Sequence, residues 1–336
     1  MWRSGIQFKV YQDILAGKIK LPNLPDNTMK LRHTLANPNF RIRDLLPPLH
    51  ANPEMASMIM QAANSTAFYG TRPSSDLNSA VVRLGTTSVT SLVLTHSMES
   101  TFVKRSLPSR HSIRGLWQQN LRIGALSSAI ARRIADSGVR VDADMALLAG
   151  SMYHVGTLML LSYFQSNNLT LPSPEEIDAI PTQISANIGV VLAKHWQMDP
   201  EIVDCIRHRD QYEELTSGPF NLQDVFQFAT LIHRIHDKND LSLPSLEKTT
   251  PVKKAALHGI LGESLEHFIT LVDAQANLLV NTLTGKAAEA KFKASAAARY
   301  GLASDDSTQT DKSQRRASPS SSNKVARISA AQRYCA

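Results

Sequence analysis

Apolar residues along this chain recur at helical spacing, and no stretch carries the alternation that would build a sheet. Residues 53–64 read PEMASMIMQAAN, with Pro53 at the start and apolar side chains at 55, 58, 59 and 62. That i, i+3, i+4, i+7 spacing turns one face of a helix to a core. Proline suits the first helical turn because its missing N–H has no intrahelical partner there. Asn64-Ser65 interrupts the pattern, and residues 70–73 mark a loop. Ser75 or Asp76 caps a helix over 77–84, which Gly85 is expected to stop in a left-handed conformation. The spacing predicts further helices over 86–103, 112–136, 142–166, 182–196, 200–208, 222–238, 252–262 and 264–300, the last broken near Gly285. With no internal repeat of roughly 20–50 residues, the expectation is an all-α fold. A joint is expected near Leu107-Pro108.

The 336 residues, 43% of them hydrophobic, suffice for one large core or two smaller ones. The net charge of +7 is lodged in one place: from Lys286 onward ten Lys or Arg face four acids, leaving +1 over residues 1–285. A near-neutral body argues against a broad basic binding face. Residues 303–323, ASDDSTQTDKSQRRASPSSSN, lack a periodic apolar face and read as part of a flexible basic tail over 303–336. The two cysteines, Cys205 and Cys335, cannot form a disulfide framework and fit a reducing compartment. Residues 1–20 scatter Arg3, Lys9, Asp13 and Lys18 among apolar residues, so no secretory leader is expected and the location expected is cytoplasmic. The most apolar stretch, 146–164, is interrupted by Gly150, Ser151, His154 and Gly156. Buried core helices are expected there rather than a membrane span, which needs about 20 predominantly apolar residues.

A specific order of signals runs through this helical pattern. Leu24-Pro25 precedes Asn52-Pro53 and Ala63-Asn64-Ser65; Phe68-Tyr69-Gly70, Ser74-Ser75 and the run from Ala80 to Gly85 follow. Then come Leu116-Trp117, Leu-Leu-Ala-Gly at 147–150, Gly156, Ile188-Gly189, Trp196 and Ile206-Arg207-His208. In order and spacing these resemble the HDOD family, the HD-related output domains of bacterial signalling proteins, over roughly residues 15–235. Most of the positions have structural explanations. Asn64 and Ser65 can satisfy the free backbone groups where a helix ends and a turn begins. Trp117 and Trp196 are expected as core aromatics. The resemblance implies a multi-helix fold with an N-terminal helical lobe over 1–107 packed on a degenerate HD-like lobe over 108–238. Additional C-terminal helices over 239–302 and the tail lie beyond it.

Catalytic members of the HD superfamily gather His and Asp around one or two metal ions, because a divalent cation makes a nucleophile of bound water and neutralises a phosphoryl oxygen. Placed on this sequence, the resemblance puts the His-Asp pair at Tyr153-His154, the earlier ligand at Gln119 and the later histidine at Ser185. A second pair falls at His208-Arg209 and the last aspartate at Thr230. Tyr, Gln, Ser and Thr are poor ligands for a catalytic divalent ion, and Arg209 adds a repelling charge. The resemblance therefore implies a vestigial pocket with no metal, no cofactor and no catalytic residues.

The other histidines suggest no chemistry. His154 and His208 could still meet in that pocket but are expected as hydrogen-bonded core residues, and His233 with His236 as a solvated polar helix face. His195, His258 and His267 lack a sequence partner that points to chemistry. Cys205 beside Ile202 and Ile206 reads as buried. There is no phosphate-binding Gly-x-x-x-x-Gly-Lys, no Gly-x-Gly-x-x-Gly and no nucleophile elbow. The function expected is a non-catalytic signal-transduction domain that meets a protein partner in a bacterial signalling pathway. Left open are an atypical phosphohydrolase, a nucleotide ligand in the vestigial pocket, a homodimer, and weak nucleic-acid contact by the tail, whose Arg315, Arg316, Lys324, Arg327 and Arg333 can meet phosphates.

Overall fold

The computed structural model describes residues 4–68, 73–103, 111–167, 169–212, 218–238, 246–262 and 264–285. Among them every regular element is helical. Gly70, the joint near Leu107-Pro108 and the tail over 303–336 lie outside the described residues. The N-terminal part holds α1 (Ser4–Leu15), α2 (Asp26–Ala36), α3 (Leu46–His50), α4 (Pro53–Ala63) and α5 (Leu77–Phe102). Next come α6 (His111–Ile134), α7 (Ala143–Gly150), α8 (Val155–Ser166), α9 (Pro174–Asp178), α10 (Thr182–His195), α11 (Pro200–Arg207) and α12 (Leu222–Lys238). Helices α13 (Thr250–Leu257) and α14 (Leu265–Leu283) follow.

The α4 stripe folds as its spacing requires. Asn52 caps it, accepting from the Met55 N–H at 3.1 Å, and Met55, Met58, Ile59 and Ala62 are buried. Just past its end, the Asn64 carboxamide accepts from the Ser74 N–H at 2.6 Å and donates to the Ser74 carbonyl at 3.3 Å, so one side chain closes the loop between α4 and α5. Ser65 donates to the Ala62 carbonyl at 3.0 Å. Asp76 is the cap of α5, accepting from the Ser79 N–H at 2.8 Å, and Ser75 donates to its carboxylate. Gly85 departs from the left-handed stop expected of it. Its φ of 76° is paired with a ψ of 167°, a region that suits only glycine, and the chain passes straight into a second helical stretch.

Predicted and observed helices differ most at 142–166. That span is two helices, α7 and α8, separated by a turn at 151–154. Its apolar composition would suffice to cross a membrane, but 83% of its most apolar window is buried inside the protein, which makes it core. Helix crossings here are very close. A Cβ on Gly150 would stand 2.6 Å from the Gly124 Cα, which lets α7 lie against α6. A Cβ on Gly156 would stand 1.9 Å from the Ser185 carbonyl oxygen, which lets α8 lie against α10.

One continuous apolar core runs from Val10 to Leu279. The N-terminal segment is tied to α10 and the residues just past its end by several bonds. Trp196 donates its indole N–H to the Pro22 carbonyl at 2.8 Å, Arg32 donates to the carbonyls of Trp196 and Gln197, and Asn187 donates to the Tyr11 phenol at 2.8 Å. Helix α14 packs on α6 and on α4, so it spans both halves. Arg122 of α6 donates to Asp273 of α14 at 2.7 Å, and His236 of α12 lies 3.1 Å from the same carboxylate.

The crossings make a test. Gly156→Ala is expected to lower stability by about 3 kcal/mol, because a backbone carbonyl cannot yield as a side chain would and the overpacking outweighs about 1 kcal/mol of helix propensity. Gly115→Ala, also within a helix but with open space around the new methyl, is expected to raise it by about 0.5–1 kcal/mol. Urea unfolding midpoints of the two variants should move in opposite directions.

Candidate functional site

The close crossings bring the ends of several helices around a cavity of about 190 Å³. Helix α6 contributes Leu116 and Gln119, and the 151–154 turn contributes Tyr153 and His154. Thr157, Thr182 and Ser185 stand on α8 and α10, Asp178 ends α9, and His233 and Arg234 come from α12. Arg209, two residues past α11, completes the wall. The turn is held from α6, where the buried Asn120 accepts from the His154 N–H at 2.7 Å.

Arg209 is the centre of the arrangement. Its guanidinium is 95% buried and donates to the Tyr153 carbonyl at 2.6 Å, the Ser185 hydroxyl at 3.4 Å, the Thr182 carbonyl at 3.1 Å and the Asp210 carboxylate at 2.9 Å. It also lies 4.7 Å over the Tyr153 ring. Of the positions that the sequence resemblance assigned to metal ligands, Tyr153 and Ser185 are thus both held by a third, Arg209. Asp210 gathers the rest. Its carboxylate accepts from the phenols of Tyr153 at 3.1 Å and Tyr212 at 3.3 Å, and Arg234 approaches to 3.7 Å. Burial pushes both tyrosines above the ordinary phenol range; at Tyr153, raised strongly, the Tyr212 phenol and then Asp210 add to it, and at Tyr212 the Asp210 carboxylate does.

Two of the sequence-assigned positions are not in the cavity wall. The His208 imidazole turns back on α11, its Nδ1 3.0 Å from the Asp204 carbonyl, so Nδ1 carries the proton and donates. Thr230 is buried and donates to the Gln227 carbonyl at 2.8 Å. His154 and His208 therefore do not meet. His233, expected on a solvated face, is buried and lines the cavity, whereas His236 is partly exposed. The signal for His233 was available: it lies four residues after Ala229 and seven after Phe226, both fully buried, and so shares their face. Asp178, Thr182 and Asp210 had no such signal, because helix ends and a charge beside another charge carry no periodicity. Trp117 and Trp196 are core aromatics, Gly189 abuts Ile206 and Gly156, and Pro25 and Pro53 precede or open helices. Cys205 is buried, which pushes its thiol far above the ordinary range.

A divalent metal does not fit these residues. Among those described, no three His, Cys, Asp or Glu side chains stand together as ligands. A guanidinium, a fixed cation, lies among the positions where the ligands would be.

Removing Arg209 takes the guanidinium from the Tyr153 and Thr182 carbonyls and leaves the Asp210 carboxylate with its two phenol donors and the more distant Arg234. Arg209→Ala is expected to cost about 3–5 kcal/mol in chemical denaturation, and Tyr153→Phe about 1.5–3 kcal/mol for the lost bond to a carboxylate. The phenols supply a pH test. Both are harder to ionise folded than unfolded, so their stabilising effect is complete below the ordinary tyrosine pKa of about 10 and is lost as pH rises through that value toward the raised ones. Of the seven tyrosines, Tyr153 and Tyr212 should be the last to gain phenolate absorbance in alkaline titration, with the jump coinciding with unfolding.

The HDOD domain family matches residues 21–212. A curated relative, an uncharacterised protein from Treponema pallidum, is 21% identical over 226 residues. The match takes in 65% of this chain but only 43% of that protein, so the chain spans less than half its relative's length. A crystal structure of a provisionally named metal-dependent phosphohydrolase from Shewanella amazonensis superposes with a TM-score of 0.66 at 18% identity, covering 81% of this chain and 98% of that one. A provisionally named signal transduction protein from Marinobacter aquaeolei superposes with a TM-score of 0.53 at 20% identity, covering 84% and 68%. At such identities the likeness is one of fold, and one fold carries names from two functional classes. The all-helical architecture, the ordered motifs around Asn64, Gly85 and Gly156, and the family match over most of the core together place this chain in the HDOD family.

Proposed function

We propose that this chain is a non-catalytic regulatory module of a bacterial signalling pathway, working in the cytoplasm through contacts with a protein partner. The observation that carries this is the buried Arg209 guanidinium, bonded to Tyr153 and Ser185 at the heart of the cavity. A hydrolase of the HD type needs a cation that can leave water bound and acidic, and a guanidinium held by four acceptors supplies no such water. What remains is a rigid scaffold with a shaped cavity, and membership of a family of signalling output domains fits such a role.

The deciding experiment is metal analysis of the purified full chain, with phosphomonoester and phosphodiester turnover measured with and without added Mn²⁺. The expected result is substoichiometric metal and no turnover above the buffer rate. Stoichiometric Mn or Fe that disappears in His154→Ala and His233→Ala, together with phosphoester cleavage, would overturn the proposal. For the partner, crosslinking of the full chain in its native cells should give a discrete adduct with a second protein, and recovery of uncrosslinked chain alone counts against it.

A further inference from the structure

We propose that the cavity beside Arg209 binds a small oxyanion of the phosphate class without the help of a metal. The inference rests on the cavity being a binding site and not a hydrolytic one, and it starts from a count of hydrogen-bond donors.

Arg209 has five N–H groups. Four have acceptors: the Asp210 carboxylate, the Tyr153 carbonyl, the Ser185 hydroxyl and the Thr182 carbonyl. Among the described residues the fifth has none, although the residue is almost wholly buried. Thr157 and Ser185 present a second surplus. Their hydroxyls lie 2.7 Å apart and share one hydrogen between them, which leaves the other hydroxyl hydrogen with no acceptor among the described residues. Thr157 and Ser185 are buried at 5% and 2% exposure. All three residues line the same cavity. A buried donor left without an acceptor costs about 1–3 kcal/mol, so two on residues that line one cavity favour a guest that brings acceptors and no donors.

The remaining chemistry of the wall narrows the guest. Arg234 adds a second guanidinium, and Asp178, the one acid lining the cavity among the described residues, is on an exposed helix end. Buried Leu116, Ile177 and Ile180 form an apolar part of the wall, which strengthens polar contacts by excluding water. One N–H of Arg209 and one hydroxyl hydrogen, set apart on different elements, suit an anion that carries several oxygens better than a single-atom anion. The volume, about 190 Å³, is below the roughly 300–1,000 Å³ of pockets that enclose drug-sized ligands. It suits an oxyanion with a short stub rather than a nucleotide.

The test uses the full chain in EDTA, titrated with orthophosphate by calorimetry and followed by thermal unfolding, with sodium chloride and sodium acetate at matched ionic strength as controls. Expected is saturable binding of phosphate and a rise in Tm that chloride does not reproduce. Thr157→Val, which removes a hydroxyl and keeps the shape, should weaken binding about five- to tenfold, and Arg234→Gln by more than tenfold. Should Arg234→Gln fail to fold, Thr157→Val carries the decision alone. A phosphate response equal to that of chloride, or unchanged in Thr157→Val, overturns the proposal. Phenyl phosphate separates the sources. Tighter binding than orthophosphate assigns the site to a phosphate ester, weaker binding assigns it to the free ion, and either supports the class. Phosphoester turnover in added Mn²⁺ would instead strike at the non-catalytic role, so the two failures are distinguishable.

Discussion

Burying a guanidinium costs several kcal/mol even after the protein relaxes around it, unless acceptors meet it from well-fixed places. Arg209 is met from the 151–154 turn, from the start of α10 and from its own neighbour Asp210. That requirement shapes the chain around it. The Tyr153 carbonyl can turn to the guanidinium only if the α7–α8 run is broken there, and the break is fixed from the other side by Asn120 accepting from His154. The glycine crossings then become necessary. Gly150 against Gly124 and Gly156 against Ser185 draw four helices, α6, α7, α8 and α10, near enough for the turn, Ser185 and Arg209 to share one cavity. Mutual dependence of this kind makes Arg209 both the reason a divalent ion does not fit and the reason the cavity keeps its form.

Much of the helical layout was legible in the chain because it depends on local periodicity. The α4 stripe, the cap at Asp76, and the α10, α11 and α12 spans appear within a residue or two of where the spacing puts them. What periodicity could not reveal were contacts between elements distant in sequence. The run over 142–166 is apolar throughout and reads as one helix, because the cause of its break is a hydrogen bond from α6 and a charge from beyond α11. Gly85 was legible as a glycine-demanding position, but the sequence does not specify ψ, and the extended value lets a second helix begin at once. At the site, alignment with the family motifs reached Gln119, Tyr153, His154, Ser185 and Arg209, all in the cavity wall. It also pointed to His208 and Thr230, which satisfy their polar atoms within their own helical turns instead. Asp210 escaped because a lone acid beside an arginine looks like any surface pair until two phenols are folded onto it.

The segment beyond the family match is part of the same interior. Helix α12, outside residues 21–212, supplies His233 and Arg234 to the cavity. Helix α13 docks behind it through Lys254, whose ammonium reaches the Asp224 carboxylate at 3.0 Å with both side chains over nine-tenths buried. Asp224 is already committed at the start of α12, where it accepts from the Asn221 N–H. A buried pair of this kind holds its register firmly, since breaking either half leaves a charge without water.

Tyr212 is the last residue that the family match covers, and its carbonyl accepts from the Thr250 N–H at 2.8 Å. Its phenol, at the other end of the same residue, braces Asp210. A boundary drawn by sequence kinship at this point would thus sever a backbone bond one side chain away from the buried charges. The segment shared with the family and the packed interior around the buried charges are not the same length here. A fragment trimmed to the shared segment would lose α12 and with it His233 and Arg234 from the cavity wall.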